Sequence, residues 1–270
     1  MRSKHALVYV AAFGRLALAP AVAGPALQAV DPVIAQAVQN TAIRSPKFIA
    51  RDATRHPAEE LSFFGLRPDA TVVEIWPAGG YWSEILASYL HGRGSYYVAV
   101  PGGPDGQKNA AAFHARVQAS PVLFVRATIT ELGVGKTDIA PPGSADFVLT
   151  FRNVHNWMAD GTADANFAAF YKALKPGGIL GVEEHRGRAD KPQDPKAENG
   201  YVREDYTIAL AQKAGFTLVG KSEINANPKD TKEWPKGVWT LPPTFALGAK
   251  DHAKYAAIGE ADNFVLKFRK

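Results

Sequence analysis

Two short polar clusters carry most of the chemistry open to this chain. The first, Arg152-Asn-Val-His-Asn-Trp157, follows an apolar run, and the second, Glu183-Glu-His-Arg186, ends another. Imidazole exchanges protons near neutrality, so His155 is the candidate general base for an oxygen or nitrogen acceptor, with Asn153 and Asn156 placed to orient what it acts on. A histidine that only caps a loop by hydrogen bonding would read the same way. If residues 183–185 are extended, Glu183 and His185 point one way and Glu184 the other. With His155 they could hold a metal, yet no short ligand motif such as His-Glu-x-x-His accompanies them, and no metal site is assigned. An ion pair of Glu184 with Arg186 or Arg188 on a solvated loop is the plainer alternative.

A third stretch, Thr71-Val-Val-Glu-Ile-Trp-Pro-Ala-Gly-Gly-Tyr-Trp82, reads as an interior strand that stops at a Pro/Gly loop and turns at once into a helix. Strand, glycine loop and helix in that order form a ligand site outside the strand's carboxyl end. Pro77, Ala78 and Tyr81 break the Gly-x-Gly-x-x-Gly spacing of a dinucleotide site, and no Gly-Lys-Ser/Thr follows for a nucleoside triphosphate. Glu74 is a carboxylate in an apolar strand, which is costly unless paired. A ligand with an ammonium head and a ribose, S-adenosylmethionine, suits that carboxylate and a short glycine turn. A salt bridge or helix cap is the alternative for Glu74. Trp76, Tyr81, Trp82 and Trp157 could wall a pocket for a sulfonium, although aromatics are as readily plain core.

The elements that must position these residues alternate. Strands are expected at 71–75, 95–100, 122–125, 145–151, 179–183 and 216–223, with helices over 83–90, 108–118, 163–174 and 204–214 between them. This alternation predicts a doubly wound, mostly parallel α/β sheet. Asn263–Arg269 alternates apolar and polar residues, as an antiparallel edge strand would. Residues 224–249 carry Pro228, Pro235, Pro242 and Pro243 and two tryptophans without helical period, and are expected to form a lid-like loop. Helical lead-in segments are expected before residue 65.

With 270 residues, 46% hydrophobic and 21% charged, the chain is long enough for one large α/β domain. Its formal charge of +5 is spread without basic runs, which argues against a nucleic-acid partner. Arg2 and Lys4 precede an apolar segment, Ala6 to Ala23, ending Ala21-Val-Ala23. The pattern predicts a signal peptide over residues 1–23 and a periplasmic or secreted protein, with an amphipathic helix of a cytoplasmic protein as the alternative. No other segment is apolar for long enough to span a bilayer. The absence of cysteine excludes thiol catalysis and a disulfide framework.

The order of Glu74-Ile-Trp-Pro-Ala-Gly-Gly-Tyr81, Ala145-Asp-Phe-Val-Leu-Thr-Phe151 and Leu174-Lys-Pro-Gly-Gly-Ile-Leu180 resembles motifs of the class I S-adenosylmethionine-dependent methyltransferases. The resemblance spans roughly residues 60 to 225 and the last strand. More narrowly, Phe151–Trp157, Asn225–Asp230 and Gly237–Pro243 resemble a bacterial group of often exported methyltransferases. It implies a Rossmann-like seven-stranded sheet with an antiparallel C-terminal strand, in a single domain over residues 24–270. It also implies S-adenosylmethionine as cofactor, met by Glu74, Pro77, Gly79, Gly80, Tyr81 and Asn153, and methylation of a small molecule. Two departures stand out. The second strand ends in Val100-Pro101 where the family places a ribose-binding acid, so Asp105 must substitute. Arg126-Ala-Thr-Ile129 stands where an adenine-binding acid often follows strand three.

Three functions follow: a methyltransferase with His155 as base, a non-catalytic module binding an adenosyl or other small ligand, and a metal-assisted hydrolase using His155, Glu183 and His185. The sequence leaves the oligomeric state and the methyl acceptor open.

Overall fold

The computed structural model describes residues 29–103 and 106–270. The segment expected to be a signal peptide, residues 1–23, and Asp105 lie outside the described residues. The described residues open with four short helices, α1 (Pro32–Val38), α2 (Pro46–Ile49), α3 (Asp52–Arg55) and α4 (Pro57–Phe64). Alternation then runs β1 (Thr71–Ile75), α5 (Tyr81–Leu90), β2 (Ser95–Pro101), α6 (Gly106–Ala119), α7 (Pro121–Phe124), β3 (Ala127–Leu132) and β4 (Ala145–Phe151). It continues through α8 (Val154–Ala159), α9 (Ala163–Ala173), β5 (Leu174–His185), α10 (Glu204–Lys213), β6 (Thr217–Ser222), β7 (Pro235–Val238), α11 (His252–Ile258) and β8 (Asn263–Arg269).

Seven strands form one sheet in the order β3-β2-β1-β4-β5-β8-β6, with β8 antiparallel to both neighbours and the others parallel. The centre of the sheet is buried on both faces, which is why β1 and β4 read as nearly continuous apolar runs. Val73 and Ile75 of β1 face a core shared with Trp157, Phe167 and Phe170 of α8 and α9. Val72 faces the opposite core, with Leu61 and Phe64 of α4 and Ile85 and Leu86 of α5.

Two strand expectations are corrected. Residues 122–125 are not the third strand: Pro121 starts the short helix α7, and Val122 and Val125 are exposed. The third strand is β3, at the sheet edge and largely exposed, so it lacks the apolar run of a buried strand. Ala127 to Ile129 therefore lie inside it and Arg126 just before it, and Glu131 sits near its end, paired with Lys136 at 3.1 Å. The C-terminal strand is antiparallel but not an edge. It lies between β5 and β6 and is buried along most of its length. Residues 175–178 fall within β5, where a register shift opposite Ala145 and Phe147 absorbs them.

Within 224–262 the chain is an ordered cap over the carboxyl ends of the central strands. Val238, Leu241, Tyr255 and Ala261 form a satellite core with Tyr201. Its polar hub is Asp230, which accepts from the Tyr201 hydroxyl at 3.0 Å, Trp234 Nε1 at 2.7 Å and Asp262 N at 2.9 Å. Among the described residues no helix is long and apolar enough to cross a membrane.

The lead-in helices reach the strand ends because α4 lies on the sheet, and Gly181 of β5 makes room for it. A Cβ at Gly181 would come within 2.8 Å of Phe64 and of Leu149. Gly181→Ala is expected to lower unfolding free energy by about 1–3 kcal/mol in urea titration. An unchanged midpoint would show that α4 is not seated so closely.

Candidate functional site

Glu183 and Glu184 end β5, and both are fully buried. Buried carboxylates need partners, and several pieces of chain supply them. Glu184 Oε1 accepts from His155 Nδ1 at 3.0 Å and from His185 N at 2.8 Å, and Oε2 accepts from His155 N at 3.2 Å. Although burial works against its charge, the neighbouring His155 and His185 hold the Glu184 carboxyl below the usual range. Glu183 Oε1 accepts from Asn225 Nδ2 at 3.2 Å and Asn263 Nδ2 at 3.0 Å, while Oε2 lies 3.7 Å from Arg152 Nε. Asn225 also donates to Glu60 of α4 at 2.6 Å. Burial first, then the charge of Glu183, pushes Glu60 well above the usual carboxylate range.

His155 sits in α8, one turn past β4, and its pairing with Glu184 leaves Nε2 as the free ring nitrogen. The ring of His185 is 5.5 Å away. Its Nδ1 lies 2.7 Å from Asn263 Oδ1, and the network assigns the proton to Nδ1. Burial lowers His185 to about 3, so this ring is neutral. Ligand atoms of His155, Glu184 and His185 lie within 4.8 Å of one another. Glu184 thus takes the place that the sequence gave to Glu183 in the trio. Glu184 also pairs with neither arginine nearby in sequence: Arg186 goes to Glu204, Glu223 and Asp262, and Arg188 to Asp190 and Glu233.

Both histidines line a cavity of about 190 Å³ whose other walls are Arg51, Arg55 and Arg152 on one side and Val238, Trp239, Pro242 and Pro243 of the cap on the other. All three guanidiniums converge on Glu260, which precedes β8. Arg51 makes a fork at 2.6 and 2.7 Å, and Arg55 and Arg152 each reach it at 3.1 Å. Arg152 takes a left-handed φ of 62° at the end of β4, a conformation costly for a side chain with a Cβ. It is fixed there by its backbone N–H, which donates to Glu183 O at 2.7 Å. Asn156 lies on α8 beside His155 but does not line the cavity. Arg51, Arg55 and Glu260 went unnoticed in the sequence. The only trace of the first two is Arg-Asp-x-x-Arg just before Pro57, and Glu260 carries none.

The residues expected at the β1 loop are placed otherwise. Glu74 accepts from Ser83 Oγ at 2.7 Å and from the Tyr96 hydroxyl, both from within the fold. A Cβ at Gly79 would face Phe48 of α2 at 3.7 Å, and one at Gly80 would meet Arg116 of α6 at 3.2 Å. Pro77 is buried, its carbonyl accepting from Gly80 N. The Tyr81 hydroxyl donates to Asp52 at 2.7 Å, and its ring lies 4.5 Å under the Arg55 guanidinium, so it supports a cavity wall. Asn153 donates to Ile75 O at 3.1 Å, tying the β1 and β4 ends together. Trp76 and Trp157 pack in one core and Tyr81 and Trp82 in the other, so the four do not wall one pocket.

No protein-family model matches the chain and no curated protein matches its sequence. Solved structures do match it. A SAM-dependent methyltransferase from Aquifex aeolicus superposes with a TM-score of 0.56 at 14% identity, over 87% of this chain and 97% of that one. The fold is the Rossmann-like methyltransferase fold. A sarcosine dimethylglycine methyltransferase homologue from Galdieria sulphuraria (TM-score 0.52, 13% identity, 90% and 92% coverage) shares it. So does the [4+2]-cyclase SpnF (0.57, 15%, 86% and 85%).

This methyltransferase fold implies S-adenosylmethionine at the β1 loop, and the residues there do not fit it. Trp76 and Ala78 hold φ of 47° and 50°, positions that favour glycine. The Trp76 indole donates to Leu132 O at the end of β3, 3.0 Å away, and meets the Trp157 ring edge-on at 5.9 Å. It therefore crosses the strand ends over which a nucleoside lies in such folds. Beside it, Gly102 N bonds Leu132 O at 2.8 Å, and a Cβ at Gly133 would come within 2.6 Å of Gly102 O. The carboxyl for the ammonium is engaged, and the glycines face protein.

Burial, opposed by the Tyr96 and Ser83 hydrogen bonds, pushes Glu74 up to about 7. Its folded value exceeds its ordinary 4.5, so its contribution is fully present below pH 4.5 and lost as pH rises through 7. The Glu74→Gln variant should gain on the parent by on the order of 3 kcal/mol between pH 4.5 and 8, measured by urea unfolding at both. A constant difference would show that the carboxyl does not titrate upward.

Proposed function

We propose that this protein is an enzyme that acts on a small molecule in the cavity over β4 and β5, with His155 as general base. The observation that carries this reading is the His155–Glu184 pair. A buried carboxylate holds Nδ1, fixes the ring's tautomer and supports the imidazolium that forms when Nε2 takes a proton. His185, neutral and one ring away, adds no competing charge. Asn263 and Asn225 hold the second carboxylate, and Arg152 stands between that carboxylate and Glu260. The groups around the base are therefore fixed before a substrate arrives.

Methyl transfer from S-adenosylmethionine is the second reading, favoured by the fold shared with methyltransferases over most of the chain. The acceptor side of such a reaction is provided for by His155, and the donor side is opposed by Trp76. The SpnF structure is a reminder that this fold is not tied to one reaction. Export, read from Arg2, Lys4 and the apolar segment to Ala23, belongs to the same proposal and favours a donor other than a cytoplasmic cofactor.

Calorimetric titration of the full chain with S-adenosylmethionine and with S-adenosylhomocysteine tests the donor. Micromolar binding, about −8 kcal/mol, would support methyl transfer; no heat from a folded sample would remove it. If the indole is what closes the donor side, Trp76→Gly should raise affinity for either ligand at least tenfold, and equal silence in both proteins would show that the loop is closed by more than the indole. For any substrate turned over, His155→Ala should lower kcat by roughly 10²–10⁴-fold. An unchanged rate would end the base assignment.

A further inference from the structure

We infer that the cavity beside His155 binds a small organic oxyanion, a carboxylate or phosphate monoester with a flat apolar body. This deepens the proposed function by naming the substrate class for the same cavity. It stands on the charge arrangement, which does not depend on turnover.

Three guanidiniums share one wall. The side chains of Arg51, Arg55 and Arg152 are 20%, 6% and 13% exposed, so little of their charge is screened by water. Guanidiniums in this setting need anions. Among the described residues, the carboxylates ion-paired with them are Glu260, shared by all three, and Glu183, 3.7 Å from Arg152. Glu60 also lies near enough to act on Arg152, and burial raises both Glu60 and Glu183. His185 is neutral. Three guanidiniums thus share two ion-paired carboxylates, at a cavity open to a ligand.

Glu260 shows what fits. Its carboxylate takes a fork from Arg51 and single bonds from Arg55 and Arg152, the pattern with which arginines grip a planar carboxylate or a phosphate. A substrate oxyanion arriving in the cavity would share the same donors. The opposite wall is apolar: Val238, Pro242 and Pro243, with Trp239 at the rim, 37% exposed and 5.9 Å from the His155 ring. A flat body between Trp239 and the arginine wall would bring a substituent to His155. The three guanidiniums on this cavity disfavour a metal cation at His155, Glu184 and His185.

The test is calorimetric titration of the full chain with benzoate and phenyl phosphate, against benzamide and benzylamine as neutral and cationic probes of the same shape. Either oxyanion should saturate one site, more weakly as salt rises, and benzamide and benzylamine should not. Which oxyanion binds tighter tells carboxylate from phosphate. Arg51→Gln should weaken the oxyanion at least tenfold. Glu260→Gln should tighten it at least tenfold, because the internal competitor for the three guanidiniums is removed. If Glu260→Gln does not fold, Arg51→Lys decides, since it keeps the charge and loses the fork, and should fall between the parent and Arg51→Gln. No saturable oxyanion binding by folded protein, equal binding of benzamide, or affinity unmoved by the Arg51 variants would overturn the inference. Oxyanion binding without turnover of any substrate would leave it standing and remove only the enzymatic reading.

Discussion

The arrangement of this molecule turns on two carboxylates that cannot be left alone. Glu183 and Glu184 end the central strand β5 in full burial, where an unpaired charge costs several kcal/mol. Alternation sends them to opposite faces. Glu184 recruits His155 from the helix after β4. Glu183 recruits Arg152, Asn225 and Asn263, and through Asn225 it reaches Glu60 in the lead-in. Four separated stretches are thereby drawn over one strand end. The cavity is the space left between them, and its charge is set by what each stretch brings.

Much of the scaffold was legible because parallel strands buried on both faces leave apolar runs in the sequence. β1, β2 and β4 are such runs. β3 was missed because an edge strand carries polar residues, while Val122-Leu-Phe-Val125 imitates a buried strand although Val122 and Val125 face water. β8 was placed at the edge because Asn263 and Lys267 look like solvent-facing residues. Asn263 instead faces the buried Glu183 and His185, and Lys267 reaches back to Phe63 O at 3.0 Å.

The site was legible by half. His155 could be found because the residue after a central strand's carboxyl end is where ligands meet such sheets. Its partner could not, because Glu184 lies 29 positions away and looked equally ready to pair with Arg186. Arg51 and Arg55 belong to no motif in the sequence, and only tertiary packing turns them inward. Glu74 was rightly seen as a carboxylate in need of a partner. Its hydrogen bonds come from Ser83 and Tyr96, hydroxyls that carry no distinctive spacing.

The cap has a consequence for how any ligand is held. Its own core is five buried residues gathered around Asp230, small beside the two cores that clasp the sheet. A unit of this size opens at lower free energy than the sheet beneath it, as a separate cooperative piece. Because the cap carries Trp239 and Glu260, opening it dismantles one wall of the cavity and releases the three arginines from their shared counter-charge together. Ligand affinity is then the intrinsic affinity multiplied by the fraction of molecules in which the cap is closed. Substitutions buried around Asp230, far from any reacting atom, would act on binding through that fraction alone.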